Sequence, residues 1–143
     1  RGSIEIVNPD PTADPKIEPN YLADELDQKT MVEGIKILRQ IYKQPKFRDL
    51  WDTEIIPGAK VKTDAEIIDA IRKGGGTVYH PVGTCKMGID AAAVVGPDLL
   101  VHGVTGLRVV DASIMPLITS ANTNAPTLMI AEKAAEMILE SGN

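Results

Sequence analysis

His80 is the residue of this sequence best suited to acid–base chemistry. It lies between Tyr79 and Pro81, and the proline biases the backbone of His80 towards an extended conformation. The residues before it, Thr77, Val78 and Tyr79, predict a short strand that ends at His80. Histidine changes charge near neutral pH and serves as a general acid or base in many sites. A structural or surface role fits the same position, so spacing alone leaves both interpretations open.

Two asparagines, Asn122 and Asn124, flank the predicted start of the last helix. Pro126 suits the first turn of that helix because its missing N–H costs little there, and an apolar face continues to about Glu140. Asparagine near a helix start is most often a cap. The same helix start offers free N–H groups and partial positive charge to an electron-rich ligand. The asparagines are therefore either caps or members of a binding site.

Asp111 follows a predicted strand at residues 107–110, and a second short strand is predicted at 99–101. Gly103 and Gly106 separate the two strands. A carboxylate at the end of a strand is commonly a turn or cap residue, and that interpretation of Asp111 stays open beside a role in binding.

The remaining candidates do not predict a metal site. His102 lies beside a turn and is predicted to be structural, and Cys85 has no neighbouring base, so we expect it to contribute packing. His80, Cys85 and His102 lack the paired spacing of a closed zinc site, which predicts that no metal is bound.

The first half of the chain predicts a strand, a loop and two helices. Residues 3–7 alternate as a half-buried strand, and prolines punctuate the loop that follows. Apolar residues at helical spacing predict a helix over 29–43. The capping box of Thr63 and Glu66 predicts a second helix, with Gly74 as its left-handed cap. The predicted elements change from helices to strands and loops near residue 76, which predicts a boundary between two parts of the chain there.

Composition excludes several classes of protein. The 143 residues are 43% hydrophobic and 24% charged, with a net charge of −5 and no basic cluster. A disordered chain and a nucleic-acid-binding protein are therefore not expected. No apolar run approaches the roughly 18–20 residues that span a bilayer, so no transmembrane segment is expected. The chain begins on a strand without Met, and we expect it to be a piece of a longer protein.

Three stretches, 79–88, 106–116 and 122–127, together resemble the carboxy-terminal portion of the glucose–methanol–choline (GMC) oxidoreductases. The resemblance covers nearly the whole chain and is closer to choline and alcohol dehydrogenase-like members. It implies a parent enzyme that uses flavin adenine dinucleotide (FAD) to oxidise the CH–OH group of an alcohol. The sequence has no G-x-G-x-x-G after a strand, so FAD would be bound mainly by an amino-terminal half outside this chain.

The resemblance also assigns site residues. His80 and Asn122 match the catalytic pair: His80 would hydrogen-bond or deprotonate the substrate hydroxyl, Asn122 would hold the oxygen, and a hydride would pass to flavin N5. Asparagine is not a base at neutral pH, so His80 would carry any proton transfer. The residues expected to contact FAD are Tyr79, Asp111, Ala112, Asn122, Thr123 and Asn124.

The resulting expectation is an α+β fold in two parts. Residues 1–76 would form part of a substrate domain, and residues 77–143 would supply the active-site strand, the loops that contact FAD and a terminal helix. The expected partners are an alcohol, the remainder of the parent chain and an unidentified electron acceptor. Two alternatives stay open. One is a non-catalytic fragment or interaction module, and we expect the isolated chain to be inactive. The other is a flavin-dependent cyanohydrin lyase. The sequence does not distinguish a cytoplasmic from a periplasmic protein.

Overall fold

The computed structural model describes residues 1–142. Over this range the chain has three α-helices, two short 3₁₀ helices and one two-stranded sheet, which confirms the predicted α+β class. It divides into two compact units, Arg1–Gly76 and a second that begins at Thr77. Within the described range, no helix has the length and apolar character needed to cross a membrane.

The sheet of the first unit is a small antiparallel pair. Strand β1 (Ser3–Glu5) pairs with strand β2 (Lys16–Glu18), with Ile4 opposite Ile17. The predicted strand at 3–7 is thus confirmed over its first three residues, but the prediction that it is half-buried is wrong, since all three residues are exposed. Its partner β2 was not predicted, because prolines surround a run too short to show alternation.

Helix α1 (Glu25–Tyr42) starts four residues earlier than its apolar spacing predicts. The cause is Asp24, whose side chain accepts a hydrogen bond from the N–H of Leu26 at 2.8 Å and caps the helix. Helix α2 (Asp64–Gly74) begins at the predicted capping box, in which Thr63 and Glu66 bond each other's backbone N–H groups.

The prediction of a left-handed cap at Gly74 is wrong. Gly74 is the last helical residue, and Gly75 caps the helix with an extended backbone at φ −75° and ψ 157°. The N–H of Gly75 donates to the carbonyl of Ile71, and a Cβ at Gly75 would lie 2.6 Å from that oxygen. Glycine is therefore required here for close approach rather than for a positive φ.

Helices α1 and α2 pack around Val32, Ile67 and Ile68, which are all buried. Ile67 is fully inaccessible and supplies the centre of this core. At the surface, Lys36 of α1 lies 2.8 Å from the carboxylate of Asp64 at the start of α2. A 3₁₀ helix at Pro45–Phe47 follows α1.

The second unit has fewer strands than predicted. Residues 77–79 form no strand, since Tyr79 adopts a positive φ of 62° that interrupts an extended run. The predicted strands at 99–101 and 107–110 are reduced to isolated bridges, among them Leu100 with Arg108. Leu99 has a φ of 66°, which interrupts the extended run, although its carbonyl still accepts a hydrogen bond from the N–H of Val109 at 3.2 Å. Helix α3 (Asn124–Glu140) confirms the predicted terminal helix.

Candidate active site

Backbone hydrogen bonds join the two motif-bearing stretches of the second unit. The N–H of Cys85 donates to the carbonyl of Ser113 at 3.0 Å, and the N–H of Met87 donates to that of Ile114 at 2.8 Å. Ile114 is buried in a core with Val95, Leu99 and Ala134 of α3. The stretch that contains His80 is therefore anchored to the stretch that contains Asp111, and both rest on the core against which α3 packs.

Gly83 lies in the turn that carries the chain from His80 to this anchored segment. Its φ is +88°, a conformation that glycine adopts without penalty and other residues rarely adopt. A Cβ at this position would also lie 3.4 Å from the carbonyl oxygen of Met115. That distance is an ordinary van der Waals contact, so glycine is needed at 83 for the positive φ of the turn.

The imidazole of His80 contacts the start of α3 directly. Its Nδ1 atom lies 2.8 Å from the Oγ1 atom of Thr123, although 43 residues separate the two along the chain. His80 is half-buried, and Thr123 is only 6% exposed. The structure thus brings together His80 and the loop that contains Asn122. His80 itself lies in a loop rather than at the predicted end of a strand.

The N-terminal end of α3 differs from those of α1 and α2. Those two helices each have a side-chain cap and acidic residues in the first turn, whereas α3 has neither within the described chain. Its first N–H groups belong to Asn124 and Ala125, because Pro126 carries none. The N-cap residue is Thr123, not either of the flanking asparagines. This helix end therefore keeps its partial positive charge uncompensated by its own sequence.

Asp111 caps the 3₁₀ helix Ala112–Ile114. Its carboxylate accepts a hydrogen bond from the N–H of Ser113 at 2.7 Å and another from the Ser113 hydroxyl. The interpretation of Asp111 as a cap is therefore confirmed, and its side chain is engaged locally. Any contact of this segment with a ligand would fall to backbone groups or to the small side chain of Ala112.

Tyr79 precedes His80 in a strained conformation. A positive φ costs a non-glycine residue about 1–2 kcal/mol, and the N–H of Tyr79 donates to the Thr77 hydroxyl at 3.0 Å. Tyr79 as a whole is 85% exposed. The structure thus holds the backbone of Tyr79 next to His80 while its side chain points to solvent.

The side chains of His102 and Lys86 bind partners other than His80. His102 lies with Nε2 3.3 Å from the carbonyl oxygen of Gly88, a contact that fits its predicted structural role. Lys86, next to Cys85, binds the carboxylate of Asp90 at 2.9 Å. That ammonium, together with the N–H of Ala92, holds the pKa of Asp90 below its usual value. No cluster of three or more potential metal ligands occurs within residues 1–142.

The bond between Thr123 and His80 was not predicted, although both residues were candidates for the site. A signal for it was present. Threonine at an N-cap normally accepts a bond from the second or third N–H of its helix, and here the third position is Pro126, which has none. The Thr123 side chain makes no bond to the second N–H, of Ala125, either, so its hydroxyl is available for another contact.

The α+β fold and the two motif-bearing stretches that it joins are those of a known family of enzymes. The family model for the GMC oxidoreductases matches residues 1–131. The chain belongs to the GMC oxidoreductase family.

Similar proteins include several oxidoreductases. The chain is 53% identical over 139 residues to an alcohol dehydrogenase (acceptor) of Pseudomonas putida, covering 97% of this chain and 25% of that protein. It is 47% identical to an oxygen-dependent choline dehydrogenase of Paraburkholderia xenovorans, covering 96% of this chain and 25% of that protein. The structure matches an FAD-dependent oxidoreductase from Chaetomium thermophilum with a TM-score of 0.91 and 30% identity, covering 99% of this chain and 25% of that one.

These comparisons also show a difference in size. The chain spans about a quarter of the length of the relatives that it matches.

Proposed function

We propose that this chain forms part of an FAD-dependent enzyme that oxidises the CH–OH group of an alcohol, with His80 and Asn122 as its catalytic residues. The observation that carries the proposal is the 2.8 Å contact between His80 and Thr123. It brings the histidine of the first motif to the start of α3, directly beside Asn122. An alcohol dehydrogenase and a choline dehydrogenase among the similar proteins support an alcohol as the substrate class.

The residues at this site fit a flavin. The uncapped N-terminus of α3, with free N–H groups at Asn124 and Ala125 and no acidic residue in the first turn, favours an electron-rich ring edge. Asn122 and the backbone of Tyr79, Asp111, Ala112 and Thr123 complete the set that we propose to contact FAD. When bound, flavin supplies the acceptor for the hydride of the alcohol carbon.

His80 has the proton-transfer role in this proposal. It accepts the hydroxyl proton as the alcohol becomes a carbonyl compound, and Asn122 donates a hydrogen bond to the substrate oxygen through its side-chain amide. The asparagine amide cannot take up the proton at neutral pH, which leaves this step to the imidazole. General-base catalysis of this kind contributes about 10²–10⁴-fold to the rate.

The test is His80→Ala in the full-length enzyme that contains this chain. We expect kcat for alcohol oxidation to fall by about 10²–10⁴-fold, or about 3–5 kcal/mol of barrier, while the flavin absorbance of the purified protein is unchanged. His102→Ala is the matched control, since it removes the other of the two histidines and should leave kcat near the parent value.

Anaerobic mixing with an alcohol identifies the reaction type. Bleaching of the flavin is expected, and a flavin that stays oxidised while a cyanohydrin is cleaved would indicate a lyase instead. Turnover of His80→Ala at the parent rate would contradict the assignment of His80. Flavin titration of the 143-residue chain by itself should show no tight binding, because the dinucleotide fingerprint is not in this sequence.

A further inference from the structure

We propose that Thr123 is a positioning residue for His80. Its hydroxyl accepts a hydrogen bond from Nδ1–H of the imidazole and thereby leaves the Nε2 lone pair free to take a proton. The inference rests on the proposed role of His80 as the base. It gives the side chain of Thr123 a function that differs from the backbone contact with FAD proposed above.

The Thr123 hydroxyl is available because the helix that it precedes does not use it. Thr123 is the N-cap residue of α3, yet its side chain makes no capping bond. The third residue of α3 is Pro126, which has no N–H to offer. The backbone of Thr123, at φ −80° and ψ −4°, also departs from the extended conformation usual for a side-chain cap. The oxygen is instead 2.8 Å from Nδ1 of His80.

Thr123 is itself held firmly, as a positioning residue requires. It is the only buried polar or charged residue within residues 1–142, at 6% exposure. Its carbonyl accepts bonds from the N–H of Thr127 at 3.0 Å and from the Thr127 hydroxyl at 2.7 Å. The contact therefore ties the orientation of the half-buried imidazole to the first turn of α3.

A hydroxyl acceptor suits both protonation states of the imidazole. In the neutral form that can act as a base through Nε2, Nδ1 carries the proton and donates it to Oγ1. After Nε2 has taken the substrate proton, Nδ1 still donates to the same oxygen. The Thr123 contact thus persists through the transfer, because the hydroxyl accepts from Nδ1–H both before and after Nε2 takes the proton.

The experiment is a double-mutant cycle in the full-length enzyme with Thr123→Val, His80→Ala and the combined variant. Valine preserves the branched shape of threonine and removes the hydroxyl. We expect Thr123→Val to lower kcat about tenfold, with KM and flavin content near parent values, because one hydrogen bond that orients the base is lost. Thr123→Ser, which keeps the hydroxyl, should recover most of kcat.

The cycle separates an effect through His80 from a general structural one. In the His80→Ala background, Thr123→Val should change kcat less than about twofold, since there is no longer an imidazole to orient. An equal loss in both backgrounds, or loss of flavin in Thr123→Val, would overturn the inference and indicate a structural or cofactor-binding role. If His80→Ala is impaired but Thr123→Val has parent kcat, only the positioning role fails. If His80→Ala has parent kcat, the proposed catalytic role fails too.

Discussion

Replacing Glu54 by glutamine should destabilise the first unit of this chain by disrupting its best-formed ion pair. The guanidinium of Arg39, on α1, binds the carboxylate of Glu54 with two parallel hydrogen bonds, Nε to Oε2 at 2.9 Å and Nη2 to Oε1 at 2.7 Å. The two side chains are only 21% and 20% exposed. The pair connects the last turn of α1 to the loop that follows the 3₁₀ helix.

The magnitude follows from this geometry. Hydrogen bonds to charged groups contribute about 1.5–3 kcal/mol each, and glutamine retains the shape of Glu54 and one acceptor oxygen. Partial exposure screens the remaining charge interaction. We therefore expect Glu54→Gln to lower the free energy of unfolding by about 1–2 kcal/mol and the Tm by about 3–7 °C.

The effect should depend on pH in one direction. Hydrogen bonds from Arg39 lower the pKa of Glu54 from its usual 4.5, with desolvation opposing them. The same bonds raise the pKa of Arg39, so the guanidinium stays charged throughout. Because the folded-state pKa of Glu54 is depressed, the contribution is complete above the unfolded-state pKa and is lost as the pH falls through the folded-state value.

The difference in unfolding free energy between the unsubstituted 143-residue chain and Glu54→Gln can be measured by urea and thermal unfolding. The measurements are made at neutral pH and well below pH 4.5. The difference should be largest at neutral pH and should shrink in acid. Asp69→Asn is the matched control, because Asp69 pairs with Lys73 at 2.6 Å but is 60% exposed, and it should have a much smaller effect. Equal stability of Glu54→Gln and the unsubstituted chain at neutral pH, or a difference that persists in acid, would show that the ion pair does not stabilise the first unit in this way.

Substitutions at Ile67 and Gly83 test the core of the first unit and a turn of the second. Ile67→Ala should cost about 2–5 kcal/mol of unfolding free energy, because Ile67 is fully buried, and Ile67→Val only about 0.5–1.5 kcal/mol; equal denaturation midpoints for the two variants would contradict this. Gly83→Ala should lower stability by about 1–2 kcal/mol, since φ is +88° there. Gly76→Ala is the control, because a Cβ there would meet open space and φ is not positive. Equal melting temperatures for the two glycine variants in calorimetry would show that alanine is not strained in the turn at position 83.

Elements that depend on neighbouring residues were predicted well. The capping box at Thr63 and Glu66 marks the start of α2 correctly, because both of its hydrogen bonds lie within one helical turn. Helix α3 follows its own apolar spacing in the same way. Strands, which need a pairing partner elsewhere in the chain, were predicted less well. Residues 77–79 have the composition of a strand, but the conformation of Tyr79 prevents one.

The three helices and the α+β class could be predicted from the sequence, since caps and periodicity act over a few residues. The contact between the imidazole of His80 and the hydroxyl of Thr123, 43 residues further along the chain, could be found only in the folded structure. That contact requires the hydrogen bonds between segments 85–87 and 113–114 and the core that supports α3. The geometry of this contact depends on how segments far apart in the chain pack together, and a pattern of neighbouring residues does not predict that packing.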